Sequence, residues 1–291
     1  MVQTIGNPLS WMANAFGSGA QGVGSGVQEL GGAQDGEIQI RDIDFSSLRT
    51  ALRQGWADFL ALRTDVFFII LIYPIVGLFL TWFALNNEIL HLLFPLASGF
   101  ALLGPVAAVG LYEMSRRREQ GLETGWGDGF RIITSPSITP LLALGGFLVV
   151  IFMAWMALAH LIFSLTLGPE APDSARSFVV DVFTTRPGWI MILAGCAVGF
   201  VFAAIVLATS FVSFPLLVDR RVGVPIAVIT SLNIAKRNPG PVAAWGAIVA
   251  ALLTVGVLTL FVGLIFVLPL LGHATWHLYR QAVIPLPSTA P

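Results

Sequence analysis

The chain has 291 residues, of which 56% are hydrophobic and only 11% charged, and its formal net charge is −1. A soluble domain carries roughly a quarter charged residues, so this composition excludes an ordinary soluble domain and points to the membrane class. A net charge near zero excludes a global field that recruits nucleic acid, and a single cysteine, Cys196, excludes an internal disulfide.

Residues 1–38 are rich in Gly, Ala, Ser and Gln. Such a stretch buries too little apolar area to offset backbone entropy, and a disordered tail is expected. It has no basic start followed by an apolar core, so it does not read as a signal peptide. From Ser47 the pattern changes. Leu48, Leu52, Trp56, Phe59 and Leu60 recur at helical spacing, with Arg49, Arg53, Gln54 and Asp58 elsewhere on the wheel. This predicts an amphipathic helix whose Trp and Arg residues suit a headgroup layer. Two related segments follow, around Trp126 to Ile133 and Val228 to Arg237.

Each amphipathic segment leads into apolar runs. Residues 66–86 carry no Asp, Glu, Lys or Arg, and residues 89–112 end in the basic foot Arg116, Arg117 and Arg118. Residues 139–167 and 188–218 are long enough to span a bilayer. Residues 240–283 read in two ways: two short helices with a tight turn near Gly256 to Gly263, or one span followed by a kinked interfacial helix. The repeat pattern favours two helices. In each unit the returning run contains a proline, at Pro105, Pro215 and Pro269, and the last run is expected to break at Pro269.

The predicted fold is therefore all-α. It is a polytopic transmembrane bundle of about six spans, built as three units over 47–120, 122–221 and 223–283. The membrane domain covers 39–284, and 285–291 form a disordered C-terminal tail. With six spans, thirteen Lys and Arg residues fall on one side and only Arg176 and Arg186 on the other. The positive-inside rule then puts the N-terminus in the cytoplasm, and the expected location is the cell inner membrane.

Ionisable groups at membrane depth are the first place to look for chemistry. His160 lies in the third span, where a neutral imidazole can bond to a neighbouring carbonyl; with Ser210 it is a candidate for the wall of a cavity. Ser210 and Ser213 also suit bonds to the preceding turn of their own helix. His91 reads as interfacial. His273 and His277 are spaced i, i+4, so both rings lie on one helix face and can hold a metal from adjacent turns. Trp276, Tyr279 and Arg280 equally suit an aromatic-belt helix end. The glycine-rich GWGDG at 125–129 lacks the strand, Lys and Ser/Thr of a phosphate loop. No catalytic residue stands out.

The strings GWADF, GPVAAVGLYEMSRRREQG, SFPLLVDR with AVITSLNIAKRNP, and PLLGHATWHLYR resemble, in order and spacing, a prokaryotic integral membrane family known as domain of unknown function 2189. The resemblance covers about residues 40–284. It implies a multispan inner-membrane protein with no established activity, some members carrying the label putative cytochrome c oxidase. The positions matching its motifs are Pro105, Tyr112, Arg116, Pro215, Asp219, Arg220, Asn238, Pro269, His273, Trp276, His277, Tyr279 and Arg280. Four histidines are too few for the ligands of two haems and a copper, so the chain is not expected to be an oxidase catalytic subunit.

Three functions stay open. The first is a non-enzymatic scaffold or accessory factor that sits in the lipid bilayer beside other inner-membrane subunits, needs no cofactor and binds no nucleic acid. The second is a transporter for a lipid or apolar solute. The third is a haem- or metal-binding protein built on His273 and His277.

Overall fold

In the computed structural model the described residues are 38–70, 75, 77–79, 81–83, 90–168, 174–284. The expected tail 1–38 except its last residue, the C-terminal tail 285–291 and part of the run 66–86 lie outside them. Every labelled element is helical: α1 (Phe45–Ile70), α2 (Leu93–Leu102), α3 (Gly104–Ala107), α4 (Val109–Glu119), α5 (Ile138–Thr166), α6 (Ala175–Thr184), α7 (Arg186–Ser210), α8 (Ser213–Asp219), α9 (Val224–Arg237), α10 (Pro239–Leu258) and α11 (Leu264–Ala282). Short 3₁₀ turns cover Leu90–Leu92 and Trp126–Thr134. The one β contact among the described residues is a bridge between Ile40 and Val283.

The interior is organised on α1 and α11. On α1 the buried stripe is Leu48, Ala51, Gly55, Asp58, Phe59 and Leu62, at helical spacing. Small residues in that stripe let the backbones approach: a Cβ on Gly55 would lie 2.5 Å from the Ala274 nitrogen of α11. On α11, His273, Ala274, Trp276, Leu278 and Tyr279 are all buried. Asp58 is therefore not on the polar side of α1, as the helical wheel suggested, but in its packed face.

Among the described residues three helices are long and apolar enough to cross a membrane: α5, α7 continued through α8, and α10. Their outward faces carry Leu142, Val150, Leu165, Leu193 and Phe200, half to three-quarters exposed, which suits contact with acyl chains. α5 and α7 pack together through Trp155, whose ring lies against Gly199 and beside Phe202. Its indole nitrogen donates to the Pro95 carbonyl at 3.0 Å, tying in α2. Thr185 caps α7 by accepting from Gly188 N at 3.1 Å. The break at Phe211–Val212 is bridged by Ser231, which donates to the Ala208 carbonyl at 2.8 Å, and by Ser213, which donates to the Ala227 carbonyl at 3.0 Å.

The run 89–112 is not one helix: a 3₁₀ turn, α2, α3 and the start of α4 divide it. Pro105 sits at the start of α3, where its missing N–H is unneeded, and Pro215 sits near the start of α8. Pro269 does not break its helix; α11 runs through it. Residues 240–283 form two helices, α10 and α11, joined by a turn at 259–263. Leu260 and Phe261 take positive φ there, and Gly263 N donates to Thr259 Oγ1 at 2.9 Å.

Candidate functional site

The motif residues converge at the end of the bundle that carries the Arg116–Arg118 foot. The hub is Asp58, which lies in the GWADF string but not among the motif positions named above, and is 6% exposed. Its Oδ1 accepts from Arg118 Nη1 at 2.8 Å. Its Oδ2 accepts from Ser115 Oγ at 2.7 Å and from His277 Nε2 at 2.8 Å. One carboxylate thus joins α1 to α4 and α11. Burial raises the Asp58 carboxyl, but hydrogen bonds from His277 and Ser115, with the nearby His277 and His273, leave it below the usual carboxylate range.

Proton accounting assigns the next link. Ser115 has one hydroxyl proton, and it is given to Asp58. The 2.8 Å contact between Ser115 Oγ and His273 Nδ1 is then His273 donating to Ser115. That leaves His273 Nε2 with a lone pair, fully buried and without a hydrogen-bond partner. The i, i+4 histidines do share a face, but they turn towards one carboxylate, His277 directly and His273 through Ser115. A carboxylate-backed imidazole is how proteins orient metal ligands. α11 and α4 are in close contact next to His273, since a Cβ on Gly272 would lie 2.5 Å from Leu111 Cδ1.

A second network lies beside the first. Tyr279 donates its hydroxyl to Asp219 at the end of α8. Arg280 donates to Glu119 at 2.9 Å and to Asp219 at 3.4 Å, and Trp276 Nε1 donates to Glu119 at 3.0 Å. Arg116 makes a two-pronged pair with Glu113 at 2.8 and 2.9 Å. Arg220, 6% exposed, donates to the Ile284 carbonyl, and Asn238 accepts from Ile43 N at 2.9 Å. Tyr112 is buried in the core cluster of this end. Along the length of α11, then, Trp276, His277, Tyr279 and Arg280 are each bonded to another helix.

Residues 93–219 match the model of the family described as "Predicted integral membrane protein (DUF2189)". The DUF2189 match runs from α2 to α8 and contains Pro105, Tyr112, Arg116, Pro215 and Asp219. It is shorter than the resemblance over 40–284, and α1 and α11 lie outside it. No curated protein and no solved structure matches the chain.

The remaining sites sit elsewhere. Ser210 donates to Val206 O of its own helix and Ser213 to Thr209 O. His160 pairs with His91, His91 Nε2 to His160 Nδ1 at 3.2 Å, and His91 stacks on Phe163 with centroids 4.0 Å apart. Trp155 lies opposite Gly199, which places His160 level with about residue 195 of α7. Ser210 is therefore roughly 22 Å further along the helix, and the two do not line one cavity. Among the described residues no group of three or more His, Cys, Asp or Glu is placed to hold a metal ion. Asp58, Ser115, Arg118 and Glu119 are site residues that the sequence reading did not single out, although all four lie in the strings GWADF and GPVAAVGLYEMSRRREQG.

Proposed function

We propose that the chain is a non-catalytic membrane scaffold, an accessory factor that presents a rigid platform to another inner-membrane subunit. The observation that carries this reading is Asp58, which accepts hydrogen bonds from Arg118, Ser115 and His277 at once. Polar side chains of the motif end are consumed in links between helices, so their chemistry is spent on holding the platform together. The platform sits on the cytoplasmic side, as the Lys and Arg bias requires, with the N-terminus on that side. Six spans in three units complete the arrangement, the last being the α10–α11 hairpin. No cofactor enters the reading.

The test is purification of the tagged full chain in mild detergent, with cross-linking before lysis. A stoichiometric membrane partner, together with a colourless and metal-free protein, supports the scaffold. A stoichiometric haem or metal that disappears in His273→Ala, with helix content intact, overturns it.

A further inference from the structure

We infer that the face where α1 meets α10 and α11 binds an anionic phospholipid, with its phosphate on Arg49 and Arg53 and one acyl chain in the groove beside them. The groove has a volume of about 570 Å³ and an almost wholly apolar lining, formed by Leu52, Trp56, Ile248, Ala251 and Leu270, with Arg53 at its rim. That volume lies within the ordinary range for ligand sites.

Charge selects the occupant. Arg49 and Arg53 stand one turn apart on α1, both exposed, and neither has a hydrogen-bond or ion-pair partner among the described residues. At this end Arg116 pairs with Glu113, Arg118 with Asp58, Arg237 with Asp42 and Arg280 with Glu119, while the exposed Arg41, Arg221 and Lys236 also lack a side-chain partner among the described residues but do not line the groove. What sets Arg53 apart is its place at the rim of a groove shared with α10, a helix long and apolar enough to cross a bilayer, and Arg49 stands one turn from it. Uncompensated guanidiniums beside lipid attract an anion, and a phosphodiester offers oxygens in the geometry that guanidinium binds best.

Direction selects a lipid over a free anion. α1 starts beside the start of α10, where Phe45 lies 3.9 Å from a Cβ built on Gly240. Arg49 and Arg53 are thus nearer the basic end, while Trp56, Ala251 and Leu270 continue towards the apolar middle. A headgroup above a chain has the same polarity. Trp56, 44% exposed, stands at the boundary where indole rings prefer to sit.

The experiment uses the full chain, delipidated in detergent and titrated with phosphatidylglycerol or phosphatidylcholine carrying the same brominated chains. The quenching lost in Trp56→Phe isolates the signal from this site. Half-saturation by phosphatidylglycerol is expected at a concentration at least about tenfold lower than by phosphatidylcholine. Arg49→Gln with Arg53→Gln should remove that preference with no change in melting, because both side chains are exposed. Ala251→Phe should weaken both lipids by filling the groove. Glycerol phosphate, which has no chain, should not displace the lipid. Equal binding of the two lipids, a preference surviving in the double variant, or displacement by glycerol phosphate overturns the inference.

Discussion

Asp58→Ala tests whether the motif end is held together from its hub. The substitution removes the acceptor of two donors: Ser115, fully buried, whose hydroxyl can then turn only to His273 Nδ1 at the cost of a change of imidazole tautomer, and His277, whose side chain is 15% exposed. A buried donor left without an acceptor costs about 1–3 kcal/mol. The Arg118 side chain is 39% exposed and can reach water, so loss of its ion pair adds little. The total is about 3 kcal/mol. Thermal unfolding in detergent, followed by circular dichroism, should show an apparent Tm lower by roughly 6–12 °C, using the scale of large single domains. Ser115→Ala in the same background should cost much less than in the wild type, a coupling of at least about 1 kcal/mol. Asp42→Ala, which breaks an exposed pair with Arg237, serves as the control and should leave the melt unchanged. A Tm for Asp58→Ala within 2 °C of the control, or additive effects with Ser115→Ala, would refute the hub.

Gly55→Ala should destabilise by about 1–3 kcal/mol in the same melt, because its Cβ meets the α11 backbone and the helices must part; an unchanged Tm means the two helices do not pack as described. Tyr279→Phe removes the hydroxyl bonded to Asp219 and should cost about 1–2 kcal/mol, with helix content intact by circular dichroism. The Asp58 carboxyl titrates below its unfolded value of about 3.9, so its contribution is complete above that pH and fades as pH falls through the lower folded value. An acid scan should therefore show the wild type losing stability below about pH 4, and Asp58→Asn with a shallower decline over the same interval.

Much of the fold was legible in the residues because apolar runs and helical periods are local signals. α5, α7 and α9 fall close to where the pattern placed them, and the turn between Gly256 and Gly263 separates two helices. What failed was non-local. A wheel puts an aspartate on the wet face, yet Asp58 is buried by partners 57 and 219 residues away. The small-residue stripe Ala51 and Gly55, followed by Asp58, was the available signal that this face meets another backbone. Pro269 was expected to stop its helix, but a proline removes only one backbone donor, and α11, packed along its second half, continues through it. His91 and His160 were read separately because nothing local joins residues 69 apart.

The two ends of the described chain are stitched together. Ile284 N donates to Gln39 O, and Arg41 N donates to Ala282 O. α1 is made well before its partner α11. At about 5–20 residues per second, the 219 residues between Asp58 and His277 take roughly 10–45 s to synthesise. For that interval the newborn α1 holds a glycine-lined face with no α11 against it, and Asp58, which can already meet Ser115 and Arg118, lacks its bond from His277. The pair thus closes only once α11 has been made. A product cut short anywhere before α11 carries the same open face, which marks it as unfinished.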